Sequence, residues 1–190
     1  ARIPMSDATF GMLLLSIGIG SLCCMPLSAF FTDRFGIRRT AVASILILAT
    51  ALCRVAVANQ LWLMALLLFC FGGSIGVLDI VLNVQGLMVE NRANPSMMSG
   101  FHGMFSLGTI VGSLLVTLLL MAGLSPVLSP LLVVACLLLL GAWAMPGFLA
   151  KRTRSDSLGM RWPNSFILLV GLMCFIVYLA EGAILDWSAL

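Results

Sequence analysis

Charge is scarce in this sequence: Asp, Glu, Lys and Arg make up only 9% of it against 62% hydrophobic residues, and the mean hydropathy is +1.17. A soluble domain is about a quarter charged and half apolar, so this balance excludes one and describes an integral membrane protein. Basic runs interleaved with aromatics are missing too. No nucleic-acid partner is expected, and the net charge of +3 concerns where charges sit at the bilayer surface. There is no CxxC pair. Cys23, Cys24, Cys53, Cys70, Cys136 and Cys174 all lie in apolar runs and read as small core residues, with no metal, disulfide or cofactor implied. No paired-aspartate motif for a prenyl-diphosphate and no metal-spaced His or Cys cluster occurs. The chain also lacks an initiator Met and a cleavable leader, and it stops at Leu190 inside an amphipathic pattern, so it is expected to be a fragment of a longer protein.

What is present centres on Leu61 to Arg92. The stretch opens as an apolar run long enough to cross a bilayer and then carries Asp79, Asn83 and Gln85. At 1.5 Å per residue Asp79 lies about 27 Å along the axis from Leu61, in the half of the bilayer nearer Glu90. A carboxylate there costs roughly 2.5 to 3.5 kcal/mol on insertion scales and usually faces a bundle interior or a wet cavity. On a helical projection Gly72, Gly76, Asp79, Asn83, Gly86 and Glu90 fall within about 80° of one another. Two readings follow. Gly72 and Gly76 let a neighbouring helix approach while Asp79 is a satisfied hydrogen bonder, or the face lines a solute or proton pathway. The cluster of Asp79, Asn83 and Glu90 favours the second. Gln85 points about 120° away from Asp79 and can be structural.

In chain order, Ser6 or Asp7 is a plausible cap before a first span over roughly residues 10 to 31, kinked at Pro26. A charged turn, TDRFGIRRT, leads to a second span at about 40 to 58, and Asn59-Gln60 turns into the Asp79 span. A fourth span covers about 97 to 122 and carries His102 near its start, with Gly108 and Gly112 as packing positions. GLSPVLSP turns into a fifth at about 127 to 149. Residues 150–163 read as a hydrophilic linker, and a sixth span from 164 carries Glu181 and Asp186. The expected fold class is therefore all-α and polytopic, with about six transmembrane spans. If the Asp33 turn is cytoplasmic, alternation puts Arg34, Arg38, Arg39, Arg92, Lys151, Arg152, Arg154 and Arg161 inside and only Arg2 and Arg54 outside. Trp62, Trp143, Trp162 and Trp187 fall near span ends, as interfacial indoles should.

SAFFTDRFGIRRT resembles the signature loop of the major facilitator superfamily, G-x-x-x-D-R-x-G-R-R, between that family's second and third helices. Asp33, Arg34, Gly36, Arg38 and Arg39 match, and Ala29 stands where the family usually has Gly. Three arginines alone would obey the positive-inside rule, but Asp33 and Gly36 at those spacings ask for more. Gly36 permits a tight turn with positive φ. The resemblance implies a cytoplasmic latch made by Asp33, Arg34 and Arg38, and location and charge suggest that Glu90 and Arg92 join it. Asp79-x-x-x-Asn83-x-Gln85, FHGMFSLGTIVGS and AEGAILDWSAL together look like the fucose-permease-like branch. On that reading the chain covers family helices two to seven: an N-terminal bundle over 1–149 without its first helix, the 150–163 linker, and the start of a second bundle over 164–190.

The resemblance implies a secondary active transporter of a bacterial inner membrane, monomeric when full-length, carrying a sugar or small polar solute with a proton between two six-helix bundles. In that branch an acidic side chain on the fourth helix takes part in proton coupling and sugar recognition, and Asp79 falls at the matching position. Asn83 and Gln85 offer amide groups to sugar hydroxyls, His102 is a relay or merely a hydrogen bonder, and Glu181 is the second pathway acid. Leu68, four residues before Gly72, stands where drug antiporters carry an Arg, which favours symport over efflux. A receptor or scramblase on the same fold is a further class. An enzyme is not expected. GGSIG at 72–76 fits G-x-S-x-G, and Ser74, His102 and Asp79 formally complete a triad, but the motif needs a strand, a sharp turn and a helix.

Overall fold

The computed structural model describes residues 6–93, 95–149 and 164–187, and all the regular structure among them is helical. The helices are α1 (Asp7–Cys24), α2 (Leu27–Phe35), α3 (Ile37–Val55), α4 (Leu61–Ala93), α5 (Met98–Met121), α6 (Leu128–Ala144), followed by a 3₁₀ turn Met145–Gly147, and α7 (Ser165–Trp187). Helices are the only open-ended backbone form that satisfies its own polar groups in lipid. Hydroxyl side chains follow the same rule. Thr32, Thr40, Thr50, Ser74 and Thr117 each donate to a carbonyl three or four residues earlier on their own helix.

Local chemistry sets the helix ends. Ser6 Oγ accepts from the Thr9 N–H at 3.3 Å and starts α1. Pro26 has no N–H to continue the ladder, so regular bonding stops after the Met25 N–H, which donates to Ser21 O at 2.9 Å, and the next helix starts at Leu27. Met25 and Pro26 nevertheless keep right-handed helical angles, so α1 and α2 form one span with a break in it. At the end of α2 the Gly36 N–H donates to Thr32 O at 2.9 Å while Gly36 takes φ +84° and ψ 154°, a region open essentially only to glycine. Gly123, at φ +85°, closes α5: the Leu124 N–H reaches back to Leu119 O at 3.1 Å. Ser125 Oγ then accepts from the Leu128 N–H at 3.1 Å to open α6, and Asn164 Oδ1 does the same for Ile167 in α7 at 2.9 Å.

Five of the described helices, α1, α4, α5, α6 with its 3₁₀ turn, and α7, are long and apolar enough to cross a membrane. The sixth expected span, α3, has the length at 19 residues but carries Arg38 and Arg39 in its first turn and Arg54 in its last. Arginines at both ends and a buried face of Thr40, Ala41, Ser44, Ala49 and Ala51 suit a helix that packs inside a bundle and extends its cations to both interfaces. In lipid the apolar surface needs no burial. Large side chains are accordingly exposed everywhere, among them Trp143, Met121 and Phe105, while packing falls to small residues.

Helices α1 to α6 belong to one compact unit and α7 to a second. Within the first, α4 is the axis: it packs chiefly against α1 and α3, and more lightly against α2 and α5. Ile37 and Ala41 of α3, Val77 and Val81 of α4, and Met145 after α6 form the buried cluster. It ties three chain segments together at one level, so the Gly36 turn, the late half of α4 and the exit of α6 share one end of the unit.

Candidate functional site

The site begins with a seam of glycines. A Cβ on Gly20 would collide with the Phe69 carbonyl, and one on Gly72 with the Ile17 carbonyl. Cys24 Sγ would lie 2.7 Å from a Cβ on Gly73, and Ser21 Oγ 2.6 Å from one on Gly76. The backbones of α1 and α4 therefore touch over this length, and Gly72 and Gly76 are packing positions, as one of the two readings of this face expects. Met25 is the last residue of this flank against the seam, 3.0 Å from a Cβ on Gly76. Pro26 follows, and α2 turns to pack more on α3 than on α4.

Asp79, one turn beyond Gly76, is exposed. The helical projection placed Gly72, Gly76 and Asp79 together, and the structure parts them because α1 covers only the glycines. Asn83 Nδ2 donates to the Asp79 carboxylate at 3.2 Å and to its backbone carbonyl at 2.9 Å. This leaves the carboxylate with one amide donor and, among the described residues, no cation. With α4 running about 50 Å at 1.5 Å per residue against a hydrocarbon core of about 30 Å, Asp79 lies near the far edge of the apolar layer counted from Trp62.

The other expected site residues separate. Gln85 is buried, and its Oε1 has no hydrogen-bond partner. It lies between Val81 and Met88 of the packed cluster, away from Asp79. His102 is exposed and its side chain makes no hydrogen bond among the described residues. The side chains on α5 that face α4 are Met98 and Phe101, against Gly86. Ser74 is buried within continuous helix and donates to Cys70 O at 2.8 Å, so Ser74, Asp79 and His102 form no triad. Glu181 falls in α7, and its side chain is outside the described part, as are the linker cations.

Asp33, Arg34, Arg38 and Arg39 flank the Gly36 turn and are exposed, with no ion pair among the described residues. Arg92, at the end of α4, is exposed and unpaired in the same sense. Glu90 departs from the expected network: its Oε2 accepts from the N–H groups of Met97 and Met98 at 2.6 and 2.7 Å and so holds the start of α5. A carboxylate reaching back across a connection of a few residues to free helix N–H groups is worth more than an exposed ion pair. A Cβ on Gly108 or Gly112 would meet nothing within 4 Å, so no described helix packs there. Sequence reasoning missed a cavity of about 500 Å³ bounded by Cys24, α2, α3 and α4. The Phe31, Phe35 and Phe69 side chains were the available signal, and in an apolar sequence they look like any others.

A bundle of apolar helices with a glycine seam, a carboxylate within a spanning helix and an arginine-flanked glycine turn defines a multi-pass membrane protein. Residues 4–158 match the Major Facilitator Superfamily, and the chain belongs to it, a superfamily of membrane transporters and not of enzymes. An uncharacterised MFS-type transporter of Yersinia pestis is 37% identical over 190 residues, covering 100% of this chain and 50% of the relative. An uncharacterised transporter of Sinorhizobium fredii, y4wD, is 31% identical over 97% of the chain and 50% of its own length. The membrane protein MosC of Rhizobium meliloti is 28% identical over 97% of the chain and 46% of its own length. The chain thus spans about half the length of the curated relatives it matches. No solved structure matches it significantly.

Proposed function

We propose that the full-length protein is a proton-coupled symporter that moves a sugar or similar small polar solute across a bacterial inner membrane by alternating access, within the fucose-permease-like branch. The observation that carries this reading is Asp79: an ionisable side chain in a spanning helix, exposed where the α1 cover stops and hydrogen-bonded to Asn83 at 3.2 Å. An ionisable side chain within a spanning helix is a functional candidate by default. Asn83 presents an amide beside it that suits hydroxyl-rich solutes. Family membership and the transporter names of the Yersinia and Sinorhizobium relatives support the class. Asp33, Arg34, Arg38 and Arg39 act as the latch at the cytoplasmic end, and Glu181 serves as a second acid on the path.

Proton uptake tests it. Vesicles holding the full-length protein are given a panel of hexoses and deoxyhexoses, with Asp79→Asn alongside. One sugar should drive alkalinisation of the external medium in the parent and not in the variant. If labelled solute exchanges while no sugar moves protons, Asp79 is structural and the protein a uniporter. Proton movement of the opposite sign would make it an exporting antiporter.

A further inference from the structure

The cavity of about 500 Å³ sits apart from Asp79. Its rim on α3 is Arg39, Ala43 and Ile47, four residues apart and all exposed, so the space opens on the outside of the α1–α6 unit. Its walls are aromatic and aliphatic: Phe31, Phe69 and Val77 face it. Of its three hydroxyls two are already committed, and Ser44 alone is left without a hydrogen bond among the described residues. Thr40 donates to Gly36 O at 3.0 Å and Ser74 to Cys70 O at 2.8 Å. The interior therefore offers little to a sugar and much to a hydrocarbon chain.

Among the described residues only one charge borders this space. Arg39 stands at the end that meets the Gly36 turn, beside Arg34 and Arg38, and makes no ion pair or hydrogen bond among the described residues. From that end the cavity runs along α4 from Val77 to Phe69, about 12 Å at 1.5 Å per residue, close to the roughly 15 Å of one leaflet's half of a hydrocarbon core. A cation at headgroup level above an apolar slot one leaflet deep has the shape and charge of an anionic amphiphile's complement.

We infer that this groove binds an anionic phospholipid, its acyl chain lying between α2, α3 and α4 and its phosphate-bearing head on Arg39. Binding is to one leaflet only, the one on the arginine-rich side. The inference does not rest on the transport reading, because its readout requires no solute. Full-length protein is reconstituted in phosphatidylcholine vesicles with trace chain-spin-labelled phosphatidylglycerol or phosphatidylcholine, and the immobilised fraction of each is measured. Phosphatidylglycerol should associate about fivefold more strongly, the equivalent of the ~1 kcal/mol that a basic side chain contributes at an anionic surface. The preference should vanish in Arg39→Gln and persist in Arg39→Lys and in Arg54→Gln at the opposite end of α3. Ala43→Trp, which fills the groove from its rim, should lower the immobilised fraction. Equal association of the two lipids with the parent, or a preference that survives Arg39→Gln, overturns the inference. Arg39 is exposed, so its variants test the idea even where Ala43→Trp fails to fold.

Discussion

Gly72 has no room for a side chain, because the Ile17 carbonyl occupies the place a Cβ would take. Gly72→Ala should therefore destabilise the full-length protein by about 3 kcal/mol or more, read as a lower thermal unfolding temperature in detergent. Gly108→Ala, with open space around it, should be neutral or gain up to about 1 kcal/mol from helix preference. The same sequence feature, a glycine in a spanning helix, gives opposite outcomes at the two sites. Gly36 is constrained by its backbone instead: at φ +84° and ψ 154°, Gly36→Ala should cost about 1 to 3 kcal/mol. For Glu90 the comparison lies between two variants. Glu90→Ala strands two N–H groups that now bond at 2.6 and 2.7 Å, a loss of about 1 to 3 kcal/mol, whereas Glu90→Gln keeps an acceptor and loses only the charge, a smaller drop of about 1 kcal/mol. Unfolding temperatures in that order check the assignment, and equal temperatures for both variants and the parent would refute it.

Elements were the most legible level of the sequence. Apolar run lengths, Gly-Pro-Ser punctuation and the cap at Ser6 placed each helix within a few residues, and the DRFG pattern placed the Gly36 turn. Pro26 was legible as a kink. Its consequence was not, since a helical projection gives the angle of each residue and says nothing of how far a partner helix extends. That is why Asp79 was grouped with Gly72 and Gly76, although α1 covers only the glycines. The Glu90 cap was hidden for another reason: it depends on how the connection into α5 folds back, and no periodicity encodes that. Arg38, Arg39 and Arg54 made α3 less apolar than its neighbours, which only its packed position between α4 and α6 accounts for. A spin-label pair at Asp33 and Asn91 should report the kink. Pro26→Ala restores a donor to the Leu22 carbonyl and should shift that distance by several ångströms, while leaving labels on α3 and α4 alone unchanged.

Across the whole molecule, α5 buries none of its residues, and the described part of α7 is exposed up to the half-buried Gly182. Their sequences show why this was readable only in part: a helix that is apolar all round looks the same whether it meets lipid or protein. The site residues named from the sequence scatter accordingly, with Gln85 in packed core, His102 on an open face and Asp79 beside Asn83. A chain of these 190 residues alone should carry no solute, since the chain spans half of its relatives' length. Uptake in vesicles compared with the full-length protein checks this. The glycine seam has a mechanical consequence for any motion the bundle makes. Where backbone meets backbone there are no side chains to change rotamer and absorb a slide, so α1 and α4 must travel as one lever. A covalent bridge between the two helices along the seam should therefore leave any such motion intact.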